Sequence, residues 1–116
     1  MPRRAQRTGN MFEELTPMAL CNERERGELW QIVDVREDWE VEIVRLDEAL
    51  HIPLNEIPDR LEELDRDTPV AVLCHSGGRS ARVAGYLVEQ GFTRVANVLG
   101  GIDAWSREVD TGLGRY

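Results

Sequence analysis

Residues 74–80, CHSGGRS, put a thiol, an imidazole, two glycines and an arginine within seven positions, after the apolar run PVAVL and before the helical pattern RSARVAGYL. A cysteine between a buried strand and the first turn of a helix lies where main-chain N–H groups have no intrahelical acceptor and the positive end of the helix dipole is concentrated. Glycines let the backbone curl there without Cβ clashes, so that successive N–H groups converge above the sulfur. Arg79 and Arg82 add positive charge. The expected chemistry is that of an anion cradle around Cys74, a thiol that ionises more readily than a free cysteine and acts as a nucleophile. The bland alternative, a cysteine packed as a small hydrophobe, does not account for the glycines beside it.

The other reactive side chains make weaker cases. His75 suggests a Cys-His dyad, but neighbouring side chains at the start of such a loop diverge, and a dyad partner usually comes from elsewhere in the fold. His51 falls inside a short apolar segment and reads as packed or surface-exposed. Cys21 lies on a helical segment without an activating group, which suits a packing role. Two cysteines and two histidines give no zinc-ligand spacing and no disulfide framework. All 14 basic residues are arginine, which excludes a P-loop lysine, a Schiff-base lysine and a lysine general base. The net charge of −8 argues against nucleic acid as a partner. No apolar run reaches the length of a membrane span, and the Arg-rich start has no apolar segment behind it, so the expected location is the cytoplasm and no membrane partner is expected.

The elements that must position the cysteine follow from the patterning. Residues 1–10 are polar, Arg-rich and aperiodic, and read as a disordered tail, leaving 11–116 as one domain. LTPMALCNERERGEL is a helix with Thr16 as N-cap, Pro17 in its first position and Gly27 at its stop. WQIVDV is a strand buried on both faces, DWEVEIVRL a helix, ALHIPL a short strand closed by Pro53, and EIPDRLEEL an amphipathic helix. PVAVL is the next buried strand, RSARVAGYLVEQG a helix ending at Gly91, RVANVL a last strand, and GGIDAWSREV a last helix. The alternation implies an α/β fold with right-handed βαβ units and a parallel sheet. Ligands of such sheets collect outside the carboxyl ends of the strands, where Cys74 falls, together with Asp34 to Arg36 if their strand is near.

Three motifs, in order, resemble those of the single-domain rhodanese family: DVRE at 34–37, CHSGGRS at 74–80, and LGGIDAW at 99–105. The resemblance implies a parallel five-stranded sheet with helices on both faces, and sulfur transfer without a cofactor or metal. It implies that Cys74 attacks the outer sulfur of a small sulfur-containing anion such as thiosulfate, or of a persulfide, and carries the sulfur to cyanide or an acceptor thiol, protein thiols included. The implied anion-binding groups are the backbone amides of His75, Ser76, Gly77, Gly78 and Arg79, with the Arg79 side chain attracting the donor. Gly77 stands at the loop's habitual glycine, so a positive φ is expected there, whereas the position of Gly78 accepts other residues. One segment departs: VRLDEA at 44–49 stands where the family commonly has Gly-His-Ile-Pro-Gly-Ala, so the turn is built differently and Arg45 becomes a candidate lining residue.

Two other functions fit parts of the pattern. A Cys-based phosphatase or arsenate reductase of the rhodanese-related type also places a thiolate in a cradle before a helix, but its loop has five residues between Cys and Arg. Here only four intervene, which leaves a smaller ring. A non-catalytic binding module usually lacks the cysteine, whereas a sulfur carrier would keep it. The acidic stretches at 37–48 and 62–67 suit either a basic protein partner or solvated helix faces.

Overall fold

The computed structural model describes residues 12–110 and 112–113. The Arg-rich segment read as a disordered tail, residues 1–10, lies outside the described residues. Five short strands, β1 (Glu13–Leu15), β2 (Gln31–Asp34), β3 (Leu50–His51), β4 (Val70–Leu73) and β5 (Val95–Val98), form one sheet in the order β1-β5-β4-β2-β3. Every pairing is parallel. The helices are α1 (Pro17–Glu25), α2 (Asp38–Ile43), α3 (Gly78–Glu89) and α4 (Gly101–Glu108).

Alternation along the buried strands divides the core in two. Val70 and Val72 of β4 point to one face, with Val33 and Val95, and meet Val83, Ala84 and Leu87 of α3. Ala71 and Leu73 point to the other, with Ile32, Ala96 and Val98, and meet Leu20 of α1 and Ile102 and Trp105 of α4. The helices thus cover both faces, as the resemblance implies. Thr16 caps α1, its hydroxyl accepting from the Ala19 amide at 3.1 Å, and Gly91 follows α3 with φ +95°.

The structure departs from the expected elements in four places. The segment EIPDRLEEL belongs to two 3-10 turns, Leu54–Glu56 and Pro58–Glu63, instead of an α-helix. Pro53 precedes the first of these turns and Pro58 opens the second, and the segment breaks at Arg60, whose φ of −124° is non-helical and whose guanidinium pairs with Glu56 and Glu63. The second helix stops at Ile43 because Val44 turns extended and buries its side chain, as does Leu46. ALHIPL supplies only two strand residues. Glu13–Leu15, with no strand pattern of its own, becomes an edge strand by pairing with β5. Among the described residues no helix is long and apolar enough to cross a membrane.

Candidate functional site

Cys74 follows the last residue of β4 and is 1% exposed. Its sulfur is nevertheless surrounded by donors, because the chain turns back over it to start α3. Gly77 is the N-cap, with φ +114° and ψ −12°, and the positive φ expected at this position aims its N–H at Cys74 Sγ, 3.0 Å away. The second donor lies outside the five expected amides: the Ser80 N–H, at 3.4 Å. The amides of Gly78 and Arg79 belong to the first turn, where no intrahelical acceptor exists. A Cβ on Gly78 would meet nothing within 4 Å, so the two adjacent glycines have different roles in the fold.

The floor of the loop is main chain as well. Ile102 and Asp103, at the start of α4, donate their amides to the carbonyls of Cys74 (2.8 Å) and His75 (3.1 Å). That approach requires Gly101, with φ +58°, since a Cβ there would collide with both carbonyl oxygens. The LGG segment therefore holds the cysteine loop from below, and the loop's glycine shapes it from above.

Beneath the sulfur lies a small polar cluster. Ser80, fully buried, places Oγ 3.3 Å from Cys74 Sγ, 3.2 Å from the Gly77 carbonyl and 2.5 Å from Asn97 Oδ1. Asn97 of β5 is 3% exposed and donates from Nδ2 to the Gly77 carbonyl at 3.2 Å. Asn97 is the one polar residue among four buried positions of its strand. An interior amide must find partners, and that was the available signal for it.

Arg79 does not stand alone at the rim. Its guanidinium makes a bidentate pair with Glu40 of α2, at 2.6 and 2.8 Å, and the Glu37 amide donates to the same carboxylate at 2.9 Å. Glu40 is 4% exposed, so Arg79 neutralises a buried charge in addition to adding a positive one. Asp34 and Arg36, expected near the functional edge, form a buried pair at 2.7 Å. Arg36 also donates to the carbonyls of Glu40 (3.3 Å), in the last turn of α2, and of Val44 (2.7 Å), just after it. This pair is a clamp that fixes α2, and through Glu40 it fixes Arg79. His51 is packed, with Nε2 2.7 Å from the Arg36 carbonyl.

Beside Arg79 a cleft of about 270 Å³ opens among Val35, Glu37, Pro53, Leu54, Asn55 and Arg82. It lies at the carboxyl ends of β2 and β3 and before α3, where the parallel-sheet rule places a ligand.

The rhodanese-like domain model matches residues 18–108. The chain belongs to the rhodanese-like family. YtwF of Bacillus subtilis is 43% identical over 97 residues, which cover 84% of this chain and 93% of that protein. The thiosulfate sulfurtransferase GlpE of Pseudomonas syringae is 35% identical over 94 residues, covering 81% of this chain and 87% of that protein. Among solved structures, a rhodanese-like domain protein from Staphylococcus aureus superposes with a TM-score of 0.76 at 35% identity, covering 89% of this chain and 97% of the other.

Within this rhodanese-like domain the altered segment at 44–49 does not extend the cleft. Arg45 is exposed and is not among the residues that line it, while Val44 and Leu46 fill the core. Cys21 lies half-buried at the other end of the sheet, in an open cleft with Arg24, Trp30 and Thr68. Burial pushes its thiol up, and the nearby Arg24 opposes that only in part.

Proposed function

We propose that the chain is a sulfurtransferase that moves a sulfane sulfur through a persulfide on Cys74. The observation that carries this reading is the convergence of the Gly77 and Ser80 amides on Cys74 Sγ at the start of α3. Such donors stabilise an anionic sulfur that has little contact with water, Cys74 being 1% exposed. The Cys74 thiolate attacks the outer sulfur of thiosulfate, an S–S bond forms to Sγ, and the sulfur–sulfur bond of the donor breaks with its electron pair leaving on sulfite. The persulfide anion then faces the first-turn amides of α3. Cyanide or an acceptor thiolate attacks the terminal sulfur, and the S–S bond electrons return to Cys74. A persulfide donor enters the same cycle with a thiolate as its leaving group.

The four-residue interval between Cys74 and Arg79 supports sulfur as the cargo over a tetrahedral oxyanion. The named relatives that include GlpE support thiosulfate as the donor class. Arg79, tied to Glu40, gives the rim one cation whose charge is partly spent, so donor attraction rests mainly on the main-chain amides and on Arg82, which is exposed.

The test is intact mass after incubation of the purified protein with thiosulfate. The expected result is a gain of one sulfur atom, removed by cyanide with release of thiocyanate. A protein whose mass is unchanged by both thiosulfate and a low-molecular-weight persulfide would overturn the reading.

A further inference from the structure

The Ser80–Asn97 cluster has a hydrogen-bond logic that the distances and the atom types settle. The Gly77 carbonyl can only accept, so the Asn97 atom facing it at 3.2 Å must be Nδ2. Oδ1 of Asn97 then faces Ser80 Oγ at 2.5 Å, and only the hydroxyl can supply the hydrogen between them. The other oxygen near Ser80 Oγ, the Gly77 carbonyl at 3.2 Å, is also an acceptor. The single Ser80 hydrogen is thus drawn away from the sulfur on either path. The Cys74 thiol at 3.3 Å meets a hydroxyl lone pair and must act as the donor.

We propose that Asn97 is a positioning residue: by accepting the Ser80 hydrogen it makes Ser80 an acceptor for the Cys74 thiol, and when the thiol ionises that hydrogen swings to the sulfur. The inference rests on Cys74 being the nucleophile of the proposed reaction. On ionisation the proton of Sγ passes to solvent and no other covalent bond changes. The thiolate then has three donors, the amides of Gly77 and Ser80 and the Ser80 hydroxyl, while Asn97 Oδ1 gives up its own. Asn97 therefore sets the balance between thiol and thiolate through Ser80, without touching the sulfur. Its Nδ2 has a separate task. With the Ala81 amide (3.2 Å) it holds the Gly77 carbonyl inward, so the Gly78 N–H, antiparallel to it across the trans peptide, points toward the mouth of the cradle.

The charged and titratable groups on the surrounding elements are His75 in the loop, Arg79 and Arg82 on α3, Glu40 on α2, Asp103 on α4, and the Asp34–Arg36 pair at the end of β2. They are the same in every protein of the comparison below, so they cancel from it.

The experiment is a double-mutant cycle on the pH profile of Cys74 alkylation by iodoacetamide, in the full chain carrying Cys21→Ser. Ser80→Ala removes a donor from the thiolate, and the midpoint of the profile is expected to rise by about one pH unit. Asn97→Leu is expected to move the midpoint lower, by at least about half a unit, in the protein that keeps Ser80 than in the Ser80→Ala protein. Equal shifts in the two backgrounds would overturn the proposal and leave Asn97 as a clamp on Gly77 alone. A measurement that needs no Asn97 variant is the infrared S–H stretch of the thiol form. It is expected at lower frequency than in Ser80→Ala, and identical frequencies would overturn the proposal. Alkylation does not depend on sulfur transfer, so failure of sulfur loading and failure of this cycle are read separately.

Discussion

Cys74 and Cys21 sit at opposite ends of one parallel sheet, and the more deeply buried of the two has the surroundings of a reactive thiol. Cys74 is 1% exposed, but two amides donate to its sulfur and a serine hydroxyl lies against it. Cys21 is half-buried in an open cleft, and burial pushes its thiol up. Burial alone disfavours a thiolate, whereas oriented donors favour one, so under the proposed mechanism exposure would be a poor guide to reactivity. The ends also differ in construction. The cradle is made of main chain, held by Gly77 and Gly101. The far end is made of side chains, with Arg94 paired to Glu13 at 2.7 Å and stacked over Trp30 at 4.7 Å.

The sharpest way to break this comparison is to exchange each sulfur for oxygen. Cys74→Ser is expected to abolish sulfur loading, read as intact mass after thiosulfate, while circular dichroism stays unchanged. Cys21→Ser is expected to keep most of the loading. Equal loss in two folded variants would make Cys21 a participant and end the single-thiol mechanism.

Next in size is the floor of the cradle. Gly101→Ala drives a methyl group into the carbonyls of Cys74 and His75 and forces an L-residue to φ +58°. The expected cost is roughly 2–5 kcal/mol in urea unfolding, together with loss of sulfur loading, because the loop must lift off the start of α4. A variant with unchanged stability would mean that α4 is not what holds the loop.

Much of this arrangement is legible in the sequence, and the parts that are not share a cause. The strands from WQIVDV, PVAVL and RVANVL and the helix after the cysteine come from local pattern, whereas the positive φ at Gly77 comes from the family resemblance, because local pattern does not distinguish Gly77 from Gly78. The Glu40–Arg79 pair joins residues 39 apart and the Ser80–Asn97 bond residues 17 apart. Neither can be read until the sheet order sets β4 between β2 and β5. The edge strand Glu13–Leu15 exists only through its pairing with β5. The turns at 54–63 show the reverse failure, in which an apolar spacing suited to a helix is met by two 3-10 turns broken at Arg60.

A subtler contrast lies between the loop's two glycines. Gly77→Ala strains a backbone at φ +114° by roughly 1–2 kcal/mol and turns its N–H from the sulfur. Turnover is expected to fall about tenfold, and the alkylation profile of Cys74 to move to higher pH. Gly78→Ala, with an ordinary φ and open space at its Cβ, is expected to change either quantity by less than about twofold. If both variants kept the original alkylation profile, main-chain donors would not be what activates the thiol, and Arg79 and Arg82 would have to carry it.

The smallest effect tests the other end of the comparison directly. In the Cys74→Ser protein Cys21 is the remaining thiol, and its rate of reaction with iodoacetamide can be followed against pH. Desolvation favours the neutral form, so its thiolate should appear at higher pH than in a short unfolded peptide carrying the same residues. The sign for stability follows. A thiol raised in the folded state keeps its proton after the unfolded chain has lost it, so any contribution of Cys21 is complete below the unfolded value and declines as pH rises past it. At neutral pH the expected alkylation of Cys21 is slower than that of Cys74 by about tenfold or more. Matching rates would show that the Gly77 and Ser80 amides confer no more reactivity than an open cleft does, and the cradle would then have to act on the outer sulfur alone.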